Sequence, residues 1–168
     1  MEIERKFLIK EKNKTYPSPF QIEELKKEIK NKGKKIDQYY LPIGILKEIL
    51  KELEIKLRFL PNEFRLRKYG ESFFITLKSK GKLKREEYEK RISKEVFEIL
   101  VKLKEKSLEK VRLKKKYQNK VIEFDYLPKF SLITAEIEFN SVKEAKSFKT
   151  KMKEITEIKK YRSQNLAR

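Results

Sequence analysis

The chain has 168 residues, of which 38% are hydrophobic and 42% charged, and its formal net charge is +19. This length suits one domain spanning 1–168, and the apolar and aromatic content excludes a disordered chain. The absence of Cys and His excludes disulfides, thiolate or imidazole metal ligands and a histidine base, so catalysis would need carboxylate, Lys, Arg or Tyr chemistry.

Period-two alternation of apolar and polar residues predicts about eight strands, with helices between some of them. In chain order the predicted strands are 1–10, 34–41, 63–69, 72–80, 84–92, 108–117, 120–127 and 132–139. Helices are predicted at 19–30, 45–56, 93–104 and 141–152, with Ser93 and Ser141 as N-caps. Short links such as 69–71, 80–82 and 118–119 favour hairpins, so we predict an antiparallel sheet.

The polar face of these strands is unusual, because nearly every strand carries charged residues at positions i and i+2. These residues are Glu2, Glu4 and Lys6, Arg65 and Arg67, Lys78 and Lys80, Arg85, Glu87 and Glu89, Lys110 and Arg112, Glu123 and Asp125, and Glu136 and Glu138. One interpretation is the solvated outer face of a sandwich. Paired Arg also suit bidentate phosphate contacts, and paired Glu suit a hard cation, so a closed sheet could hold a cation-bound polyphosphate.

Nine motifs follow one another along almost the whole chain. They are Glu2-Ile3-Glu4-Arg5-Lys6, Gln38-Tyr39-Tyr40-Leu41, Phe64-Arg65-Leu66-Arg67, Thr76-Leu77-Lys78-Ser79-Lys80, Arg85-Glu86-Glu87-Tyr88-Glu89, Glu109-Lys110-Val111-Arg112, Ile122-Glu123-Phe124-Asp125, Ala135-Glu136-Ile137-Glu138 and Lys160-Tyr161-Arg162. In this order they resemble the CYTH superfamily, the triphosphate tunnel metalloenzymes, and within it the bacterial inorganic triphosphatase-like members. The resemblance implies an α+β, mainly β fold: an eight-stranded antiparallel closed barrel with helices packed outside.

The resemblance also implies roles for the charged residues. Mg²⁺ or Mn²⁺ would be held by Glu2, Glu4, Glu136 and Glu138, with Glu87, Glu89, Glu123 and Asp125 as further carboxylates. Phosphates would be bound by Lys6, Arg65, Arg67, Lys78, Lys80, Arg85, Lys110, Arg112 and Lys160. Lys6 and Tyr40 would form a dyad that activates water; alternatively Lys6 only binds phosphate, or metal-bound hydroxide attacks without the dyad. The chain departs from the family pattern at Ile158 and Lys160, and its segment 42–62 is longer than expected.

We therefore expect metal-dependent hydrolysis of inorganic tripolyphosphate or a small triphosphate, with release of orthophosphate. One alternative within the resemblance is a class IV adenylyl cyclase that makes cyclic AMP from ATP. A non-catalytic module that binds polyanions or nucleic acid suits the net charge, but the paired carboxylates disfavour it.

No apolar run approaches the roughly 20 residues of a membrane span, so a cytoplasmic location without a membrane partner is expected. The helix at 45–56 is interpreted as packing or as a homodimer contact.

Overall fold

The alternating segments form one antiparallel sheet of eleven strands in the computed structural model, which describes residues 1–168. The strands are β1 (Glu2–Glu11), β2 (Lys14–Thr15), β3 (Lys34–Tyr40), β4 (Glu63–Tyr69), β5 (Ser72–Lys78), β6 (Lys84–Arg85), β7 (Glu87–Ile92), β8 (Lys106–Tyr117), β9 (Lys120–Leu127), β10 (Leu132–Glu138) and β11 (Lys153–Glu154). The main path runs β11-β1-β10-β9-β8-β3-β4-β5-β7, and β2 and β6 also pair with β1. The predicted antiparallel, mainly β fold is confirmed.

The sheet is open, so the prediction of an eight-stranded closed barrel is wrong. The segment predicted as one strand at 84–92 divides into β6, which pairs with β1, and β7, which pairs with β5. Glu86 lies between them and bonds to Ser79, the residue after β5: its N–H donates to the Ser79 hydroxyl at 2.8 Å, and its carbonyl accepts from the Ser79 N–H at 3.0 Å. Short strands β2 and β11 add further pairs to β1, which brings the count to eleven.

Five helices accompany the sheet. They are α1 (Ile22–Lys32), α2 (Leu46–Glu52), α3 (Lys94–Leu100), α4 (Val142–Ser147) and α5 (Ser163–Leu166), and 3₁₀ turns occur at Ile43–Ile45, Val101–Leu103, Pro128–Phe130 and Lys159–Tyr161. Both predicted N-caps are confirmed, since the hydroxyls of Ser93 and Ser141 accept bonds from Val96 and Glu144 N–H at 3.1 and 3.0 Å. None of the helices has the length and apolar character needed to cross a bilayer.

Two hydrophobic clusters lie between the helices and the outer face of the sheet. In the first, Phe7, Phe124 and Ile137 pack with Leu25 of α1 and Ala145 of α4. In the second, Leu66, Ile75 and Leu77 pack with Leu46 of α2 and Phe97 of α3. Burial of each large apolar side chain is worth about 1.5–3 kcal/mol. Side chains alternate between the two faces of a strand. Because the apolar face packs under the helices, the charged face is the inward face of the sheet.

A third cluster lies on that other, inward face, at one end of the sheet. Leu8 is two residues beyond Lys6 in β1, so both side chains point to the same side of the sheet. Leu8 packs with Tyr40 of β3 and with Tyr161 and Leu166 of the C-terminal segment. The inward face is therefore charged over most of its length but apolar at this end, where the C-terminal segment covers it.

Candidate functional site

The inward-facing charges enclose a cavity of about 410 Å³. Eleven Lys and Arg side chains and eight Glu side chains line it, whereas only two lining residues, Tyr69 and Phe74, are hydrophobic. Several of the charged residues are almost inaccessible to solvent; Lys110 is 2% exposed and Arg65 is 4% exposed. These charges are not the solvated face of a sandwich, and their excess of positive charge in a confined volume suits a polyanion.

The structure brings most of the predicted site residues together. Those lining the cavity are Lys6, Arg65, Arg67, Lys78, Lys80, Arg85, Lys110 and Arg112 among the cations, and Glu2, Glu4, Glu87, Glu89, Glu123, Glu136 and Glu138 among the acids. Asp125 lies in the wall behind them and is 1% exposed. Tyr40 and Lys160 are not among the lining residues.

Glu2 is the centre of one ion-pair cluster. It accepts hydrogen bonds from Lys78 Nζ at 3.2 and 3.0 Å and from Arg85 Nε at 2.9 Å. Burial opposes ionisation of Glu2, but Lys78 and Arg85 outweigh it and lower the pKa of Glu2 to about 2. The Lys78 ammonium also lies 3.3 Å from Glu87. Glu2 therefore serves as counter-ion to two cations that β5 and β6 carry into the cavity.

Asp125 is the centre of a second cluster. Its carboxylate accepts two bonds from Arg112, each at 2.7 Å, and lies 2.8 Å from Lys110 Nζ. Both cations lower the pKa of Asp125 against the effect of its burial. For Lys110, burial together with repulsion from Arg112 and Arg67 lowers the pKa to about 8. Asp125 thus holds two phosphate-binding candidates in place from behind the wall.

Glu4 and Glu136 form a pair of neighbouring carboxyl groups with opposite pKa shifts. Burial and repulsion from Glu136 and Glu2 raise the pKa of Glu4 well above its usual range. Burial opposes ionisation of Glu136 as well, but three nearby cations, including Lys6 at 3.8 Å, hold its pKa well below the usual range. The two carboxyl groups of the pair therefore differ in how readily they ionise. No three carboxylates lie close enough together to form a metal site by themselves.

Arg65 and Arg67 are the residues whose surroundings most clearly indicate that an anion could bind. The Nε atom of each is buried without a hydrogen-bond acceptor, although buried polar atoms are normally paired. Arg67 Nη2 donates to Gln38 Oε1 at 2.9 Å, and the Gln38 amide donates to the Tyr40 hydroxyl at 2.9 Å. Burial and repulsion from other guanidinium groups lower the pKa of Arg67 to about 10.

The structure does not bring Lys6 and Tyr40 into contact as the predicted dyad requires. Lys6 Nζ donates to the carbonyl of Tyr161 at 2.7 Å. The Tyr40 ring is 2% exposed within the apolar cluster, and its hydroxyl faces Gln38. Burial and the charge of Glu63 raise the pKa of Tyr40. The catalytic role of the two residues stays a prediction.

Two functional candidates were missed in the sequence. Glu63 lines the cavity and lies 3.8 Å from Arg65 and 3.9 Å from Arg85; its position two residues before Arg65 on the same strand face was the available signal. Arg162 also lines the cavity and donates to the Gly81 carbonyl at 3.3 Å. Lys160, the residue that we predicted from this motif, is exposed, and its ammonium lies over the Tyr161 ring.

Known proteins share both the sequence and the fold. An inorganic triphosphatase from Nitrosomonas europaea is 37% identical over 112 residues, which is 62% of this chain and 74% of that protein. A crystal structure of an inorganic triphosphatase is 28% identical with a TM-score of 0.56, over 99% of this chain and 94% of the other. A proposed adenylate cyclase from Bacillus halodurans, 18% identical with a TM-score of 0.54 over 87% of this chain and 84% of that one, shares the fold. No protein-family model matches the chain.

The fold is an antiparallel sheet whose inward face carries both carboxylates and cations around one cavity. Together with the relative from Nitrosomonas europaea, these features show that the chain belongs to the CYTH superfamily.

Proposed function

We propose that this protein hydrolyses inorganic tripolyphosphate or a small triphosphate in the presence of Mg²⁺ or Mn²⁺, with release of orthophosphate. The observation that carries the proposal is the pair Arg65 and Arg67, which line a cavity with excess positive charge and whose Nε–H groups are buried without acceptors. A buried donor without a partner costs about 1–3 kcal/mol, and phosphate oxygens would supply the missing acceptors. The activity of the relative from Nitrosomonas europaea agrees with this chemistry.

The cationic residues would bind the triphosphate in exchange for their present partners. Lys78 and Arg85 now bind Glu2, and Arg112 binds Asp125 and Glu123. Charge-assisted bonds to a triphosphate can replace bonds to carboxylates without leaving the cations unpaired. Arg162 and Lys6 approach the cavity from the end that the C-terminal segment covers, so they would contact the phosphate nearest that end.

A divalent cation fits the Glu4 and Glu136 pair. The two carboxyl groups are adjacent and repel each other, and a cation would remove that repulsion. Mg²⁺ is usually held by one or two carboxylates together with substrate phosphate oxygens and water, so a third carboxylate is not required. Glu2 and Glu138 are the next carboxylates on the same strand faces. When bound, the metal would neutralise charge on the phosphates and lower the pKa of a coordinated water.

Hydrolysis forms a bond between the water oxygen and a terminal phosphorus and breaks the bridging P–O bond, while the water proton passes to a base or to the leaving phosphate. Lys6 and Tyr40 are the predicted base system. Tyr40 would influence the reaction through Gln38 and Arg67, to which it is linked by hydrogen bonds. A Tyr40→Phe variant tests this role. A loss of turnover with an unchanged KM would support the dyad, whereas a raised KM alone would limit Tyr40 to positioning Arg67.

The proposed activity can be tested by measuring phosphate release from tripolyphosphate, ATP and thiamine triphosphate with Mg²⁺, with Mn²⁺ and with a chelator. Formation of cyclic AMP would be followed in parallel. Glu4→Gln should abolish metal-dependent turnover, whereas the matched change Glu98→Gln, at an exposed position on α3, should not. Cyclic AMP from ATP would favour the cyclase alternative. Tight binding without turnover of any substrate would contradict the proposed hydrolysis.

A further inference from the structure

We propose that Glu63 is a specificity-determining residue that accepts a hydrogen bond from a P–OH group, so that the cavity selects an unsubstituted terminal phosphate that carries a proton. The role of Glu63 in substrate selection rests on the triphosphate site proposed above. Glu63 lies on β4, two residues before Arg65, and lines the cavity. Its side chain is 8% exposed. Glu63 is thus an enclosed carboxylate among the cations that would bind the phosphates.

The Glu63 carboxylate has no close partner. Its Oε2 atom is buried without a hydrogen bond. Arg65 Nη1 lies 3.8 Å from Oε2, and Arg85 Nη1 lies 3.9 Å from Oε1, so both guanidinium groups are beyond hydrogen-bond distance. Arg85 donates instead to Glu2, at 2.9 Å. Because buried polar atoms are normally paired, a hydrogen-bond donor is the group that Glu63 lacks.

Arg65 has the complementary deficit, since its Nε–H is buried without an acceptor. A guanidinium group only donates hydrogen bonds, and an ionised carboxylate only accepts them. A ligand that satisfies both side chains must therefore accept and donate at once. Hydrogen phosphate does so, because its unprotonated oxygens accept from guanidinium groups and its P–OH donates to the carboxylate. An oxyanion without a proton would place its oxygens against those of Glu63, and like charges repel.

A metal ion fits the surroundings of Glu63 less well than a P–OH group. The two charged groups within 4 Å of its carboxylate are the cations Arg65 and Arg85. A third cation, Lys78, is the residue directly opposite Glu63 in the ladder between β4 and β5. These positive charges would repel a divalent cation, whereas they stabilise a phosphate group.

The requirement for a P–OH group narrows the substrate class. Orthophosphate and the terminal group of a triphosphate ionise for the last time close to neutral pH, so they can bind with one proton in place. A phosphate that is esterified at both ends has no such group, and sulfate has none near neutral pH. The substrates selected in this way are triphosphates with a free end.

Three dianions of similar size separate this hydrogen bond from simple charge attraction. At mildly alkaline pH, hydrogen phosphate carries one P–OH group, whereas sulfate and fluorophosphate carry none. Titrating isotope-labelled protein with each anion in the presence of a chelator, followed by NMR, measures Kd without turnover. We expect the wild-type protein to bind hydrogen phosphate at least about tenfold more tightly than the other two, the lower bound for a hydrogen bond to a charged group. In Glu63→Gln, whose amide can donate to any oxyanion, the preference should fall below about threefold.

Glu123→Gln is the matched control, because Glu123 also lines the cavity but already accepts a hydrogen bond from Arg112, at 3.0 Å. It removes the same charge and should keep the preference for hydrogen phosphate. If Glu63→Gln does not fold, the comparison of hydrogen phosphate with fluorophosphate on the wild-type protein decides.

Equal wild-type affinity for these two anions, or binding of neither, would overturn the role of Glu63. An unchanged preference in Glu63→Gln would overturn it as well, because another group would then accept the proton. The expected preferences without turnover of any triphosphate would support the role of Glu63 as an acceptor and contradict only the proposed hydrolysis.

Discussion

Replacing Asp125 by Asn should destabilise the protein strongly, although Asp125 does not line the cavity. Its carboxylate makes two bonds of 2.7 Å to Arg112 and lies 2.8 Å from Lys110, and the side chains of all three residues are at most 7% exposed. An amide would leave two buried cations without their main counter-ion. Removing one partner of a buried ion pair costs about 3–5 kcal/mol. For a protein of this size, that corresponds to a fall in Tm of roughly 6–20 °C.

Urea unfolding followed by circular dichroism measures this change. Glu123→Gln is the matched control, because Glu123 also binds Arg112, at 3.0 Å, but its side chain is 24% exposed. The control should lose less than about 1 kcal/mol, as expected for a partly solvated pair. Adding Lys110→Met to Asp125→Asn should restore part of the stability by removing one unpaired charge. A loss below about 1 kcal/mol in Asp125→Asn would refute the view that the wall depends on this carboxylate.

Other predictions address the remaining ion pairs. Arg67→Ala should raise KM for tripolyphosphate by roughly 10- to 150-fold, the equivalent of about 1.5–3 kcal/mol for a charged hydrogen bond, and an unchanged KM would exclude a phosphate contact. The stability that Glu2 contributes is present above its ordinary pKa of 4.5 and is lost as pH falls toward about 2. As the pH falls between these limits, the free energy of unfolding of the wild type should decrease by up to about 3 kcal/mol more than that of Glu2→Gln. Parallel curves of unfolding free energy against pH would contradict the lowered pKa of Glu2. Arg162→Ala should weaken binding of tripolyphosphate at least about fivefold, whereas Lys160→Ala should not; an unchanged affinity in Arg162→Ala would place Arg162 outside the site.

Period-two patterns predicted the strands well because side-chain alternation is a local property. The strands at Glu63–Tyr69 and Lys120–Leu127 occupy the predicted ranges, and both Ser caps are confirmed. The closure of the sheet is a long-range property and was predicted wrongly. It depends on which strands pair with each other: β6 pairs with β1 and β7 with β5, and nothing in the alternation of 84–92 indicates that division.

For the candidate site, the sequence predicted which residues share a strand face but not which residues form ion pairs. Residues at i and i+2 on one strand face were brought together, because the sheet curves around them. The partners of each charge were not predictable, since ion pairs such as Asp125 with Arg112 depend on register between strands. The same limit applies to Lys6 and Tyr40, which the family resemblance associates but which have different partners here.

The carboxylates that neutralise the cavity in the absence of substrate have a consequence for affinity. Glu2, Glu123 and Glu136 each form ion pairs with cations that the proposed substrate would need, so they would compete with its phosphates. Binding would then exchange one set of ion pairs for another, and the net gain would be smaller than the number of new contacts suggests. In the proposed hydrolysis the same exchange would assist the release of orthophosphate, because the carboxylates could pair with the cations again. These carboxylates would act as weak intramolecular competitors whose local concentration does not depend on dilution.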